Sequence, residues 1–133
     1  MDREWKAVKE FHRAFNHPIG EYPQALERDR GEKRYRWIKE ELDEFLDALN
    51  QGDIVEQADA MIDTIYFALG TLVEMGIKPD PLFYIVQDAN MSKIWPDGTP
   101  HYNADGKAIK PPDWIDPHSR LEKEIEIMRT KCE

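Results

Sequence analysis

The sequence predicts an all-α fold: an antiparallel bundle of about five helices, assembled as an oligomer, with a long Pro/Gly-rich C-terminal loop. Three observations predict it. Apolar residues recur at helical spacing along most of the chain. Gly52 and Gly76 stand where two of these runs stop, and glycine tolerates the left-handed conformation that ends helices. The run from Ile54 to Met75 is apolar nearly all round, more surface than one small bundle covers easily. A length of 133 residues fits one domain spanning 1–133.

The first helix is expected over residues 2–16, with Trp5, Val8, Phe11, His12 and Phe15 at helical spacing and His17-Pro18-Ile19-Gly20 ending it. Pro23 can open a short helical turn in the connector. The second helix is expected from Glu32 to Leu49, with Ile38, Leu42, Phe45, Leu46 and Leu49 forming its apolar face. Asn50-Gln51-Gly52-Asp53 reads as a tight turn, with Asp53 as N-cap of the third helix and Glu56 three residues on. Gly76 stops that helix. A fourth begins at Asp80 or Pro81 and runs to Met91. Residues 94–117 hold five prolines and two glycines and read as irregular, which in a small domain is often a functional loop. Pro117 to Lys131 reads as a last helix presenting Leu121, Ile125 and Met128.

The charge is uneven. The net charge is -9, and nine acids with no basic residue lie between Glu40 and Asp63. Elsewhere acids and bases balance. Such a chain suits neither duplex nucleic acid nor an anionic membrane as a partner. Cys132 is the single cysteine, which excludes an intrachain disulfide or a cysteine zinc cluster. The start, Met1-Asp2-Arg3-Glu4, lacks the apolar core of a signal peptide, and Asp63 and Glu74 interrupt the longest apolar stretch, so a cytoplasmic protein is expected.

Glu41 and Glu44 lie roughly 60° apart on the second helix, and Glu56, Asp59 and Asp63 share a stripe of roughly 60° on the third. The short turn makes the two helices antiparallel neighbours, so Glu41 and Glu44 should face Glu56 and Asp59 at similar heights. Like charges packed this way are unfavourable without a counter-ion. Oxygen-only donors fit Mg²⁺, or Mn²⁺ as a substitute. Such an ion would let an acidic protein hold a phosphate chain. Glu40, Asp43 and Asp47 fit a solvated face better. Asp63, deeper in an apolar helix, is either a further ligand or the partner of a basic residue.

Glu40-Glu41-x-x-Glu44, a spacer, and Glu56-x-x-Asp59 resemble the signature of the all-α nucleoside triphosphate pyrophosphohydrolases, the MazG-like and phosphoribosyl-ATP pyrophosphohydrolase-like group. Arg34-Tyr35-Arg36-Trp37-Ile38-Lys39 leads into the first acidic motif much as in these proteins, and Asp59 to Gly70 looks like their long buried helix. Phe11-His12-x-x-Phe15-x-x-Pro18, Asn90-Met91-Ser92-Lys93, Asp97-Gly98, Asp105-Gly106-Lys107 and Lys110-Pro111-Pro112 resemble one single-domain branch.

The resemblance implies hydrolysis of a (d)NTP between the α- and β-phosphates, giving (d)NMP and pyrophosphate. It implies Mg²⁺ held by Glu41, Glu44, Glu56 and Asp59, with Glu41 or Glu44 activating the water. It also implies a homodimer or homotetramer. Lys93, Lys107 and Lys110 are candidate phosphate contacts, with Arg34 and Lys39 the next basic residues to consider. Asn16, Asn90 and Asp63 are candidate substrate contacts. Trp5, Phe11 and Phe15 fit a core better than a base-stacking site, and Trp95 and Trp114 are candidate anchors of the loop. A di-metal oxidoreductase is disfavoured, because no histidine has Glu three residues before it. A non-catalytic nucleotide-binding or structural helical oligomer is the alternative.

Overall fold

Two residues separate the longest helices, and both suit the turn they make. In the computed structural model, which describes residues 1–132, Gly52 closes α2 (Arg28–Gln51) in the left-handed conformation at φ 65°. Asp53 opens α3 (Ile54–Met75), its carboxylate accepting from the backbone N–H of Val55 and Glu56. The Asp53 N–H itself donates to the Ala48 carbonyl at 3.1 Å. The reciprocal half of a capping box is therefore already taken, and the Glu56 side chain is not needed there. The result is the expected antiparallel helical hairpin.

α1 (Asp2–Ala14) lies against α3. Trp5 and Val8 meet Leu69 and Val73 in the core, with Ile19 and Leu72 packed beside them. Trp5 is buried as expected, whereas Phe15 is 63% exposed. Asn16, at φ 56°, turns the chain out of the helix just past its end. The following connector caps the far end of α3. Gly20 N–H donates to Val73 O at 2.9 Å and Gln24 N–H to Met75 O at 3.1 Å, giving partners to carbonyls a helix end leaves orphaned. Gly20 is required by this close approach, since a Cβ there would collide with the Gly76 nitrogen. Pro23 is buried and opens no helical turn.

α2 starts at Arg28, four residues before the expected boundary, with Arg28 and Glu32 paired one turn apart at 2.6 Å. Its packing differs from expectation. Arg34 and Ala48 are its buried residues, while Leu42, Leu46 and Leu49 are about half exposed. The leucine stripe is thus not the face that α2 turns to α3. α3 in turn leaves Ile62 and Ile65 exposed.

The chain divides into two compact units: Met1–Pro79 together with Cys132, and Asp80–Lys131. The second contains α4 (Pro79–Met91) from Asp80 on, a hairpin of β1 (His101–Tyr102) and β2 (Ala108–Ile109), and α5 (His118–Cys132) up to Lys131. The loop read as irregular therefore holds a small antiparallel hairpin, with His101 opposite Ile109. Asn103 makes its turn by accepting from the N–H groups of Asp105 and Lys107. Gly106 sits there at φ 79°. Both tryptophans act as anchors: Trp95 Nε1 donates to Ile109 O, and Trp114 Nε1 to Ala89 O and Ser92 Oγ. His101 stacks on Trp95 and bonds Asp97 at 2.9 Å, a contact that holds the Asp97 carboxyl down at about 2. Among the described residues no single helix is long and apolar enough to cross a membrane.

Candidate active site

The face that α2 presents to α3 is written at alternating steps of four and three residues: Arg30, Arg34, Trp37, Glu41, Glu44. These steps keep side chains on one side of a helix. On α3 the facing residues are Asp59, Asp63, Phe67, Thr71 and Glu74. The seam thus has three layers, acidic near the turn, aromatic in the middle, and ion-paired at the far end.

In the acidic layer, Glu41 is the most perturbed group. Its carboxyl is pushed up to about 7, first by desolvation, then by a hydrogen-bonding contact with the Glu44 carboxyl and by the charges of Glu44, Asp63 and Asp59. Asp63 is also raised, by desolvation and by the charges of Asp59 and Glu44. Glu41 Oε2 is a buried acceptor with no hydrogen-bond partner. Asp63 forms no ion pair among the described residues, so of its two expected roles that of a base's partner falls away. Glu56, one turn nearer the hairpin, is exposed and is not among the charges that shift these two groups. A buried carboxylate oxygen without a donor, set among like charges, is chemically suited to a hard cation. Lys39 is engaged elsewhere, with Asp43 at 3.2 Å on the outer face.

The aromatic layer sits one turn further along both helices. Trp37 lies 6.0 Å from Phe67, and 6.2 Å from His17, ring centre to ring centre. Phe11 stacks on Phe15 at 4.4 Å and meets Tyr66 edge to face at 5.7 Å. Phe11 and Phe15 therefore form a partly open cluster of rings rather than core.

The ion-paired layer was not foreseen. Glu74 is buried and receives Arg30 at 2.7 and 2.9 Å and Arg34 at 3.0 Å. Arg34 also donates to Thr71 Oγ1 at 3.1 Å and to the Phe67 carbonyl at 2.7 Å. Each of its three guanidinium nitrogens thus has an acceptor within the hairpin, at a side chain only 3% exposed. Burial pulls Arg34 below its usual value while Glu74 opposes the shift. His12, His17 and Glu74 bring donor atoms within 4.8 Å of one another. A cation there would face two guanidiniums, and His12 Nδ1 already donates to Pro18 O at 2.9 Å. Burial also lowers the His12 ring from its usual value. This group is an ion-pair network rather than a metal centre. Glu74, the one charge in the apolar half of α3 after Asp63 and four residues past Gly70, was the sequence signal for it.

The remaining candidates lie in two places. Asn16 is exposed at the end of α1. Asn90, Lys93, Lys107 and Lys110 belong to the second unit. There the ammonium groups of Lys93 and Lys110 converge on the Trp114 ring, at 5.4 and 5.3 Å from its centre. Lys107 is exposed in the hairpin turn, and Asn90 is exposed on the last turn of α4.

A five-helix chain whose central hairpin carries such a carboxylate layer has the build of the MazG-like pyrophosphohydrolases. The family profile of phosphoribosyl-ATP pyrophosphohydrolase matches residues 8–90, and the chain belongs to that family. It is also similar to a solved structure, at 1.78 Å, of a protein assigned as an NTP pyrophosphohydrolase from Exiguobacterium sp. 255-15. The identity is 34%, each chain is covered over 96% of its length, and the TM-score is 0.55. No curated protein matches the chain. Family and neighbour together support a hydrolase of the nucleotide pyrophosphohydrolase kind.

Proposed function

We propose that this chain is a Mg²⁺-dependent nucleoside triphosphate pyrophosphohydrolase that cleaves (d)NTP between the α- and β-phosphates, releasing (d)NMP and pyrophosphate. The observation that carries the reading is the buried Glu41 Oε2, an acceptor without a donor beside Glu44, Asp59 and Asp63. Glu41, Glu44, Glu56 and Asp59 would hold Mg²⁺, or Mn²⁺ in its place, with Asp63 adjacent. When bound, the ion supplies polarisation of the phosphate and neutralises the leaving pyrophosphate. Glu41 or Glu44, at the acceptor without a donor, would orient the attacking water or take its proton. The water oxygen becomes the new phosphate oxygen, and the bridging bond between the α- and β-phosphates breaks.

Trp37 precedes Glu41 by one turn and Phe67 follows Asp63 by one turn, so a base attached to a phosphate at the acids has ring faces within reach. Asn16 is proposed to meet the edge of that base. Lys93, Lys107 and Lys110, with Asn90, are proposed to take the phosphate oxygens that acids cannot satisfy. The uncovered apolar residues Leu42, Leu46, Leu49, Ile62 and Ile65 support a homodimer or homotetramer. A light-scattering mass of one chain at micromolar concentration would withdraw the assembly.

The deciding experiment is pyrophosphate release across a panel of canonical and modified NTPs and dNTPs, with the nucleotide product identified. Monophosphate and pyrophosphate should appear with Mg²⁺ or Mn²⁺ and stop on chelation. Turnover in excess chelator sinks the metal-dependent mechanism. Nucleotide binding without turnover on any member leaves the non-catalytic binding oligomer.

A further inference from the structure

We propose that Arg34 is a positioning residue for the carboxylate layer, a clamp that sets the register of α2 on α3. The inference rests on the function proposed above only in taking Glu41, Glu44 and Asp59 as cation ligands. Arg34 lies two turns before Glu41 on the same face of α2, and its guanidinium reaches three successive turns of α3. It donates to the Phe67 carbonyl, Thr71 Oγ1 and Glu74 Oε2. A planar fork with fixed donor directions defines both distance and rotation, which a point charge does not. Sliding α2 by one residue would break all three bonds at a side chain only 3% exposed, leaving Arg34 and Glu74 charged and unpaired.

Gly70 is part of the device. A Cβ there would collide with Arg34 Nη2 and come within 2.8 Å of His12 Nε2. Its φ is not in the left-handed region, so the glycine serves the guanidinium and not the backbone. Arg30 adds a bidentate pair to Glu74 from one turn earlier. At the other end of the seam, repulsion among the acids pushes the helices apart. The clamp opposes that push and fixes the register in which Glu41 and Glu44 face Asp59 and Asp63.

The test is Mn²⁺ binding to the full chain, followed by electron paramagnetic resonance, with helix content measured on the same samples. Arg34→Lys keeps the charge and loses the fork. Thr71→Val removes one acceptor at nearly constant volume and covers the case in which Arg34→Lys does not fold. Both should raise the Mn²⁺ dissociation constant per folded molecule, by about tenfold or more for the lysine variant, as loss of supporting partners around a metal does. Arg28→Ala, which breaks only an exposed pair, should leave it unchanged. A purely structural role lowers the melting temperature but leaves affinity per folded molecule at the wild-type value. That result in folded Arg34→Lys, or in Thr71→Val if the former does not fold, overturns the clamp. Wild-type chain that binds Mn²⁺ yet releases no pyrophosphate overturns the proposed function instead, and the affinity comparison still judges the clamp.

Discussion

The two ends of the α2–α3 seam treat charge in opposite ways. At the far end Glu74 is buried with two guanidiniums, and every charge has its partner. Near the turn Glu41 is surrounded by Glu44, Asp59 and Asp63, and one of its oxygens has none. The same pair of helices carries both. A paired buried charge fixes geometry, because losing either partner is costly. An unpaired acidic layer stores repulsion that a bound cation can release. The difference separates a part built for holding from a part built for binding.

The largest expected effect falls on the unpaired end. Glu41→Gln, Glu44→Gln, Glu56→Gln and Asp59→Asn should each lower kcat by about 1000-fold, the middle of the range for loss of an acid–base group, while far-ultraviolet circular dichroism stays unchanged. Asp43→Asn, on the outer face, should be nearly silent. Normal turnover in two of the four variants would move the site elsewhere. At the paired end the expected loss is stability instead. Glu74→Gln leaves Arg34 buried without its counter-charge and should cost about 3 kcal/mol in denaturant unfolding. A cost within experimental error would mean that the network is not holding the hairpin.

The pH response sharpens the contrast. Glu41 is raised from 4.5 to about 7 in the folded chain, and Asp63 moves the same way. For an acid whose folded value is raised, stability is fully present below the unfolded value and is lost as pH rises through the folded one. In chelator, the melting temperature should therefore fall between about pH 5 and pH 8. Mg²⁺ should recover more of it at pH 8 than at pH 5. Glu41→Gln should flatten the chelator profile, and a flat wild-type profile contradicts the repulsion assigned here. The smallest effect concerns the second unit. Neutralising Lys93, Lys107 and Lys110 together should raise KM for the triphosphate by about tenfold, about 1.4 kcal/mol, with metal affinity unchanged. An unchanged KM removes these lysines from the phosphate site.

Much of the fold was legible because its signals are local. Gly52, Asp53 and Gly76 fix helix ends through backbone geometry that neighbours do not alter, and the third helix lies where its caps put it. The carboxylates were legible because a run of nine acids without a base is visible in one dimension. The leucine stripe of α2 misled, because periodicity marks an apolar face without naming what covers it. Arg34 and Glu74 are 40 residues apart. Nothing in either neighbourhood announces the other, so their pairing appears only when the hairpin closes. The β-hairpin in the Pro/Gly-rich loop was missed for a related reason: its strands are two residues long, too short for any alternation to show.

The two-residue break at Gly52-Asp53 has a kinetic consequence. Glu41 and Asp63, the outermost residues of the coupled acidic layer, are joined by a short stretch of chain, and closing it requires only that the hairpin zip from its own turn. Loops this short carry little closure entropy, and contacts this local belong to the fast part of folding. The acidic layer is therefore expected to reach its full charge density before α1 and the connector dock. If the proposed site holds a divalent ion, an ion present at that moment would act as a partner in folding, lowering the barrier to hairpin formation as well as filling a finished site.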